Sequence, residues 1–535
     1  MVAHRRIGLR CGALCLVLAL SAGCQRQASP AANAASGDAA TDAAADAGIV
    51  WIEDGMDAGL ARAGRERRPL LVYWGAGWCP PCQQLQATVF QRRDFIERSR
   101  QFIAVHLDGD DPGAQRWGER LRVQGYPTLL VLDPQGREVQ RIAGGMDLER
   151  FAGVLELALA DLQPVETLLA RARAGAPLPE EACRRLAWNG WHADVLEPRE
   201  LAARAANLER AAQGCRAAAA FEAARLDVYA ALLQSAAEAR ALASGAAPSA
   251  TLVRQVDAVA DALHVRGHDP ALADALIALG GDFFGAAARA ALDPSALRAA
   301  YLEAMRRAAE DPRLAVADQL AAVARAVTAA RRLAPTGVPP AQAAAARARA
   351  ASELGRRWTP EERSGVYNGA LNIYAALGDA DAAYAAARAE LAVAREKYYV
   401  KADLASLAED LGRVGEALQW HAEAYAESEG AATRFQWGQE YASALLRLAP
   451  GDDSRIRAVT LAVLGELAGP DRIYRRARLR LERLGAELQA WNSAAGGRHA
   501  AVLEALRARM REICAGVPEA EPAHASCMAF LAPAA

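Results

Sequence analysis

The chain has 535 residues, 62 basic and 64 acidic side chains, a net charge of −2, and apolar residues making up 53% of the total. This length is more than one ordinary core can organise, so several domains are expected. The near-neutral balance, with arginines scattered at helical intervals among acidic residues and no basic patch interleaved with aromatics, argues against a nucleic-acid partner.

In chain order, His4, Arg5, Arg6 and Arg10 precede an apolar run from Cys11 to Leu20. The run has the size of a signal peptide and is too short for a permanent membrane span. It ends in Leu20-Ser21-Ala22-Gly23-Cys24, which resembles the lipobox of bacterial lipoproteins. Residues 1–24 are therefore read as a lipoprotein signal, with Cys24 lipidated. Ser21 stands where that motif prefers Leu, which leaves an ordinary signal-peptidase site as the alternative. Gln25 rather than Asp follows the cysteine, which by the same analogy implies the outer membrane of a Gram-negative bacterium. Residues 25–48 are mostly Ala, Ser, Asp, Gly and Asn, a composition for a flexible tether reaching about 27 Å on average. No later segment has the length and apolarity of a transmembrane helix.

Residues 49–162 read as a mixed sheet with helices on both sides. Trp51 to Glu53 suits a short strand, and Asp54 to Arg65 has helical composition with Gly64 as its stop. The runs Leu70 to Trp74, Phe102 to Leu107 and Thr128 to Leu132 are continuously apolar, as strands covered on both faces are. Asp133-Pro134-Gln135-Gly136 is a turn joining the third run to Glu138 to Ala143 in a hairpin. Leu148, Phe151, Leu155, Leu159 and Leu162 place a helix over Asp147 to Leu162.

Directly after the first run stands Trp78-Cys79-Pro80-Pro81-Cys82. A Cys delivered by a strand to the first turn of a helix meets unpaired N–H groups and the positive end of the helix dipole, both of which favour the attacking thiolate. Cys82, one turn on, is placed to resolve a mixed disulfide formed by Cys79. Both prolines are tolerated there because a first-turn N–H has no helical partner. Zinc would need a second ligand pair, and the chain has no other CxxC. A structural bridge closing so small a loop would stabilise little.

With Arg68-Pro69 before the strand and Val123-Gln124-Gly125-Tyr126-Pro127-Thr128 further on, this segment resembles a thioredoxin domain. It is most similar to the C-terminal domain of the reductant conductor DsbD, and its Pro-Pro dipeptide is similar to that of TlpA-type periplasmic reductases. The resemblance implies that Pro127 is cis and faces the dithiol, keeping metal off the cysteines, and that Tyr126 and Trp78 contact an extended substrate. Two departures stand out. Tyr73 occupies the place of the buried carboxylate that assists the resolving thiol in many thioredoxins, and Gln86 that of a Glu in the DsbD domain.

Four further cysteines, Cys183, Cys215, Cys514 and Cys527, form two local pairs in a chain read as exported. Bridges Cys183–Cys215 and Cys514–Cys527 are expected, with buried free thiols as the alternative. From residue 163 alanine dominates and amphipathic segments recur between Gly and Pro breaks, implying an all-α, solenoid-like region. Residues 163–344 read as helical hairpins. Thr359-Pro360-Glu361-Glu362 is a helix start with a capping box. Leu377-Gly378-Asp379 and Leu411-Gly412-Arg413 repeat after 34 residues, a period that resembles tetratricopeptide repeats, with Ala383 and Ala417 at the small-residue position. Residues 345–470 are read as such repeats, the second degenerate at Ala408 where the first has Tyr374. Phe435, Trp437 and Tyr441 suggest a third unit, and residues 471–535 form a C-terminal helical segment. His264 and His268 share helical spacing but have no third ligand for a metal, and His106 reads as structural. No phosphate loop or other cofactor motif is present, so no cofactor is expected.

Two functions are consistent with this chain. One is a membrane-tethered periplasmic thiol–disulfide oxidoreductase, a reductase by family analogy. It would act on disulfide-bearing proteins, be recharged by a membrane electron donor, and use the helical region to bind a client or partner. The other is a helical interaction lipoprotein whose thioredoxin domain is a slow redox sensor or docking module.

Overall fold

The computed structural model describes residues 48–531, apart from 53–54, 112, 124, 144–147, 192–197, 267–268, 270–271, 291–292 and 470–471. The signal, Cys24 and nearly all of the tether lie outside the described residues, as does His268.

Five strands, β1 (Trp51–Ile52), β2 (Leu70–Gly75), β3 (Ile103–Asp108), β4 (Thr128–Leu132) and β5 (Glu138–Ala143), form one sheet in the order β1-β3-β2-β4-β5. β1, β3 and β2 run parallel, and β4 and β5 pair antiparallel. The continuous apolar runs are explained by burial on both faces. Leu71, Tyr73, Leu129 and Val131 pack with Leu85, Phe95, Phe151 and Leu155 on one side. Leu70, Val72, Trp74, Leu130 and Leu132 pack with Met56, Ala63 and Ala114 on the other. The alternation is the strand's period of two, with both phases apolar.

Five helices flank the sheet: α1 (Gly55–Glu66), α2 (Pro80–Thr88), α3 (Arg93–Ser99), α4 (Ala114–Arg120) and α5 (Leu148–Ala160). Gly64 does not stop α1, which continues to Glu66. The chain turns instead at Arg67, which has φ 53°. An interior glycine weakens a helix by only about 1 kcal/mol, less than the packing of α1 on the sheet returns. This is a thioredoxin fold, and among the described residues all the elements after it are helical.

The helical region begins by closing the free edge of β5. Gly190 N–H donates to the Arg141 carbonyl at 2.8 Å, and Arg141 N–H donates to Asn189 Oδ1 at 2.7 Å. Buried Arg185 donates to the Val139 carbonyl and to Asp161, both at 2.7 Å. An edge covered this way has no open row of N–H and C=O groups to template another strand. The helices from Val165–Arg173 to Val316–Leu333 share one apolar core, which contains the Cys183–Cys215 disulfide. A second disulfide joins Cys514 to Cys527 in the core of the last helices. Both local bridges are therefore the ones expected from their spacing.

The Thr359 capping box is present, closing the start of helix Pro360–Leu377. Gly378 and Gly412, which carry the 34-residue repeat, have φ of 71° and 70°. This left-handed conformation ends a helix without a Cβ penalty. Ala383 and Ala417, which follow them, are buried.

Candidate active site

β2 ends at Gly75, and three residues later Trp78 leads into α2, with Cys79 as its N-cap and Pro80 and Pro81 in its first turn. Cys79 and Cys82 are both free thiols. The Cys82 backbone N–H points at Cys79 Sγ, 3.3 Å away, the helix-start interaction that favours a thiolate. The Tyr126–Pro127 peptide is cis. Tyr126 packs against the dithiol together with Trp78, their rings edge to face at 5.7 Å. Thus Trp78, Cys79, Cys82 and Tyr126 come together, with buried Pro127 the next residue in the chain.

Tyr73 and Gln86 are also brought together. The Tyr73 ring is buried among Trp51, Phe90 and His106, stacked on the last at 4.7 Å. Its hydroxyl accepts from Gln86 Nε2 at 3.4 Å and stands beside the Cys82 thiol. Burial, reinforced by the two cysteines, pushes the Tyr73 hydroxyl well above the usual tyrosine range. A neutral phenol therefore stands where many thioredoxins have a carboxylate, able to donate to a Cys82 thiolate but unable to take its proton. His106 fills the stack as a partly buried residue whose own proton affinity burial lowers. His264 is exposed. Among the described residues, no three metal-ligating side chains converge.

No sequence motif signals that this face is covered. Cys79 is 3% exposed and Cys82 fully buried, and the helical region packs over the Trp78 and Tyr126 side chains beside them. Trp78 Nε1 donates to Thr433 Oγ1 at 2.8 Å, and its ring lies 5.9 Å from Tyr399 and 6.3 Å from Trp437. Asp110, after β3, accepts from Thr433 N–H at 2.9 Å and from its hydroxyl at 2.6 Å. Gly430, with φ 77°, lets that chain approach, since a Cβ there would overlap the Asp110 carboxyl. Ser364 donates to Gln83 Oε1 on α2 at 2.8 Å. Arg476 lies 4.6 Å over the Tyr126 ring, and Arg478 pairs with Glu119 of α4 at 2.9 Å.

This covering reverses the expected electrostatics. Burial pushes the Cys79 thiol well above its ordinary value, against the smaller opposing pull of the Cys82 N–H and Arg476. The helix start does favour the thiolate, as its geometry implies, but desolvation of the charged form outweighs a single N–H. Of the covering residues, only Trp437 is itself part of a pattern visible in the sequence; no motif singles out Thr433 in the same helix, Tyr399 in helix Lys397–Asp410 or Arg476 in helix Arg475–Ala494.

Residues 56–159 match the family model of a thioredoxin-like domain. The chain is 28% identical over 85 residues to the thiol:disulfide interchange protein DsbD of Haemophilus influenzae, covering 15% of each chain. It is 28% identical over 100 residues to DsbD 2 of Pseudomonas aeruginosa, covering 18% of this chain and 17% of that one. It is 32% identical over 93 residues to nucleoredoxin of Bos taurus, covering 13% of this chain and 21% of that one. The chain thus spans about a fifth or less of the curated relatives it matches. The first part of the molecule is a thioredoxin-like domain similar to thiol:disulfide interchange proteins.

Proposed function

We propose that this protein is a membrane-tethered periplasmic thiol–disulfide oxidoreductase, working as a reductase, with Cys79 and Cys82 as its catalytic pair. The observation that carries this reading is the pair of free thiols at the start of α2, with the Cys82 N–H on Cys79 Sγ. The Cys79 thiolate attacks a sulfur of a client disulfide, forming a mixed disulfide and releasing one client thiolate, which takes up a proton. Cys82, deprotonated, then attacks Cys79 Sγ and releases the second client thiol. Two electrons have passed to the client, and Cys79 and Cys82 are joined. A membrane dithiol donor reverses that oxidation by the same exchange.

Trp78, Tyr126 and Pro127 are proposed to hold the substrate strand and the helical region to bind a client or partner. Cys24 would be the lipid anchor to the outer membrane. DsbD proteins are named for thiol:disulfide interchange, which supports disulfide-bearing proteins as the clients.

A disulfide-reductase assay on the full chain tests this. Cys79→Ser should abolish turnover, whereas Cys82→Ser should trap the mixed disulfide. Undiminished turnover in either variant, or no mixed disulfide trapped by Cys82→Ser, would refute the assignment. Equilibration with glutathione buffers fixes the direction: a potential near about −270 mV marks a reductant, one near about −120 mV an oxidant. The covering of the dithiol favours a second reading, an interaction protein whose thioredoxin domain is a redox sensor or docking module. A scaffold of that kind would keep partner binding in both cysteine variants.

A further inference from the structure

The contacts over the dithiol form a built interface, and they occupy the surface that a client would need. Trp78, the residue before Cys79, is hydrogen-bonded to Thr433 and stacked on Tyr399. Tyr126 is beneath the Arg476 guanidinium. Asp110 binds both the backbone and the hydroxyl of Thr433. No disulfide of another polypeptide reaches a sulfur that is 3% exposed while its two flanking aromatics are engaged. Nucleophilic attack needs the client disulfide in line with Cys79 Sγ, at near van der Waals contact.

We propose that the helical region is a gate on its own thioredoxin domain: the helix Ala431–Leu448, entering through Thr433, docks in the client's place, and exchange occurs only from a form in which it has moved away. This rests on the redox reading of Cys79 and Cys82. The interface has the composition of a reversible contact. Its centre is aromatic, and its rim is made of polar links, Gln83 to Ser364 and Glu119 to Arg478 and to the Arg475 N–H. The Asp110–Thr433 link is the one beside Trp78: the Asp110 carboxylate takes two hydrogen bonds from Thr433, whose hydroxyl also accepts from the Trp78 indole. A client competes for the same aromatic surface, so binding and opening are one event, and thiols stay shielded from small oxidants until a client arrives.

The test is alkylation by iodoacetamide of the full-length protein with the Cys79–Cys82 pair reduced and the two structural disulfides intact, with Cys79 modification followed by peptide mapping. Rates are taken from the plateau of the pH profile, so that thiol ionisation does not enter. Native wild type should react at least about tenfold more slowly than the same chain in denaturant, since a closed state limits reaction to the open fraction. Asp110→Ala and Thr433→Val remove the central link and should each raise the native rate and the rate of client reduction about tenfold. Circular dichroism and retention of the Cys183–Cys215 bridge establish that the variants fold.

A native wild-type rate equal to the denatured rate overturns the gate, even if neither variant folds. So do folded variants no faster than wild type. If wild type and variants reduce disulfides equally well, the redox function stands without a gate. Thiols that alkylate faster in the variants while no form reduces disulfides would leave the gate and remove the oxidoreductase.

Discussion

At the residue scale, the dithiol is governed by two opposing effects on one sulfur. Burial raises the Cys79 thiol, and Arg476 and the Cys82 N–H lower it. Arg476 comes from the far end of the chain and sits on Tyr126, so its charge is absent from the thioredoxin domain alone. Arg476→Gln should therefore raise the Cys79 pKa further, and pH-dependent alkylation should show the inflection moving up; an unmoved inflection would remove Arg476 from the site. Tyr73 supplies a different contribution. Its hydroxyl accepts from Gln86 and, kept protonated beside Cys82, has a proton to donate to a Cys82 thiolate. Tyr73→Phe should slow resolution of a trapped mixed disulfide and leave its formation by Cys79 unchanged, in a stopped-flow comparison of the two steps. Cys79, Cys82 and the pair at Tyr73 and Gln86 can be singled out from sequence, because a WCxxC after an apolar run is a local pattern. That Tyr73 and Gln86 touch is not readable there, since it depends on α2 crossing the end of β2.

At the scale of elements, helix Pro360–Leu377 starts where its cap says. Thr359 accepts from the Glu362 N–H while Glu362 accepts from the Thr359 N–H, and Thr359→Ala should cost about 1 kcal/mol in denaturant unfolding. The Cys183–Cys215 bridge spans 32 residues of helical hairpin. Replacing both cysteines by Ala should destabilise the helical region by roughly 3 to 4 kcal/mol, and an effect below about 1 kcal/mol would show that the reduced chain is already held in place by packing. These elements are legible because caps and local cysteine pairs act over few residues. Gly64 misleads for the complementary reason. A glycine reports a local preference, and the apolar face of α1 on β3 overrides it. The short helices α3 and α4 carry no strong periodic signal and emerge only where the sheet gives them a surface to cover.

At the scale of the whole molecule, burial of carboxyl groups ties stability to pH. Desolvation raises Asp227 to about 6, and Asp318 and Asp403 to about 7. In the folded chain these groups hold protons that the unfolded chain, with carboxyls near the usual 3.8, has already released. The folded state then binds more protons, so stability is greatest below about 4 and falls as pH rises toward 7. Exposed Glu303, held down to about 2 by Arg306 and Arg307, works in the opposite sense and mostly below that window. Thermal unfolding should therefore show the melting temperature declining from about pH 4 to about pH 7, with Asp403→Asn flattening part of the decline; a rising melting temperature would contradict the assignment. Asp403 accepts from the Tyr367 hydroxyl at 2.9 Å and lies one helical turn from Tyr399, which covers Trp78. The same titration therefore bears on the contact over the dithiol.

The sequence by itself determined the thioredoxin fold, the dithiol and its helix-start geometry and the all-α character of the chain beyond the thioredoxin domain, and it made the two local disulfides the expected pairing, which the structure then shows. Each of these is written in strand-length apolar runs, turn residues or cysteines a few helical turns apart, and such signals survive without knowledge of the rest of the chain. Tertiary structure alone decided that Thr433 would meet Trp78, a contact between residues 355 apart, and that Arg476 would lie over Tyr126. No periodicity links such positions. Their meeting is set by the summed packing angles of every helix between them, and it is this long-range closure that buries the thiols and changes what the local motif can do.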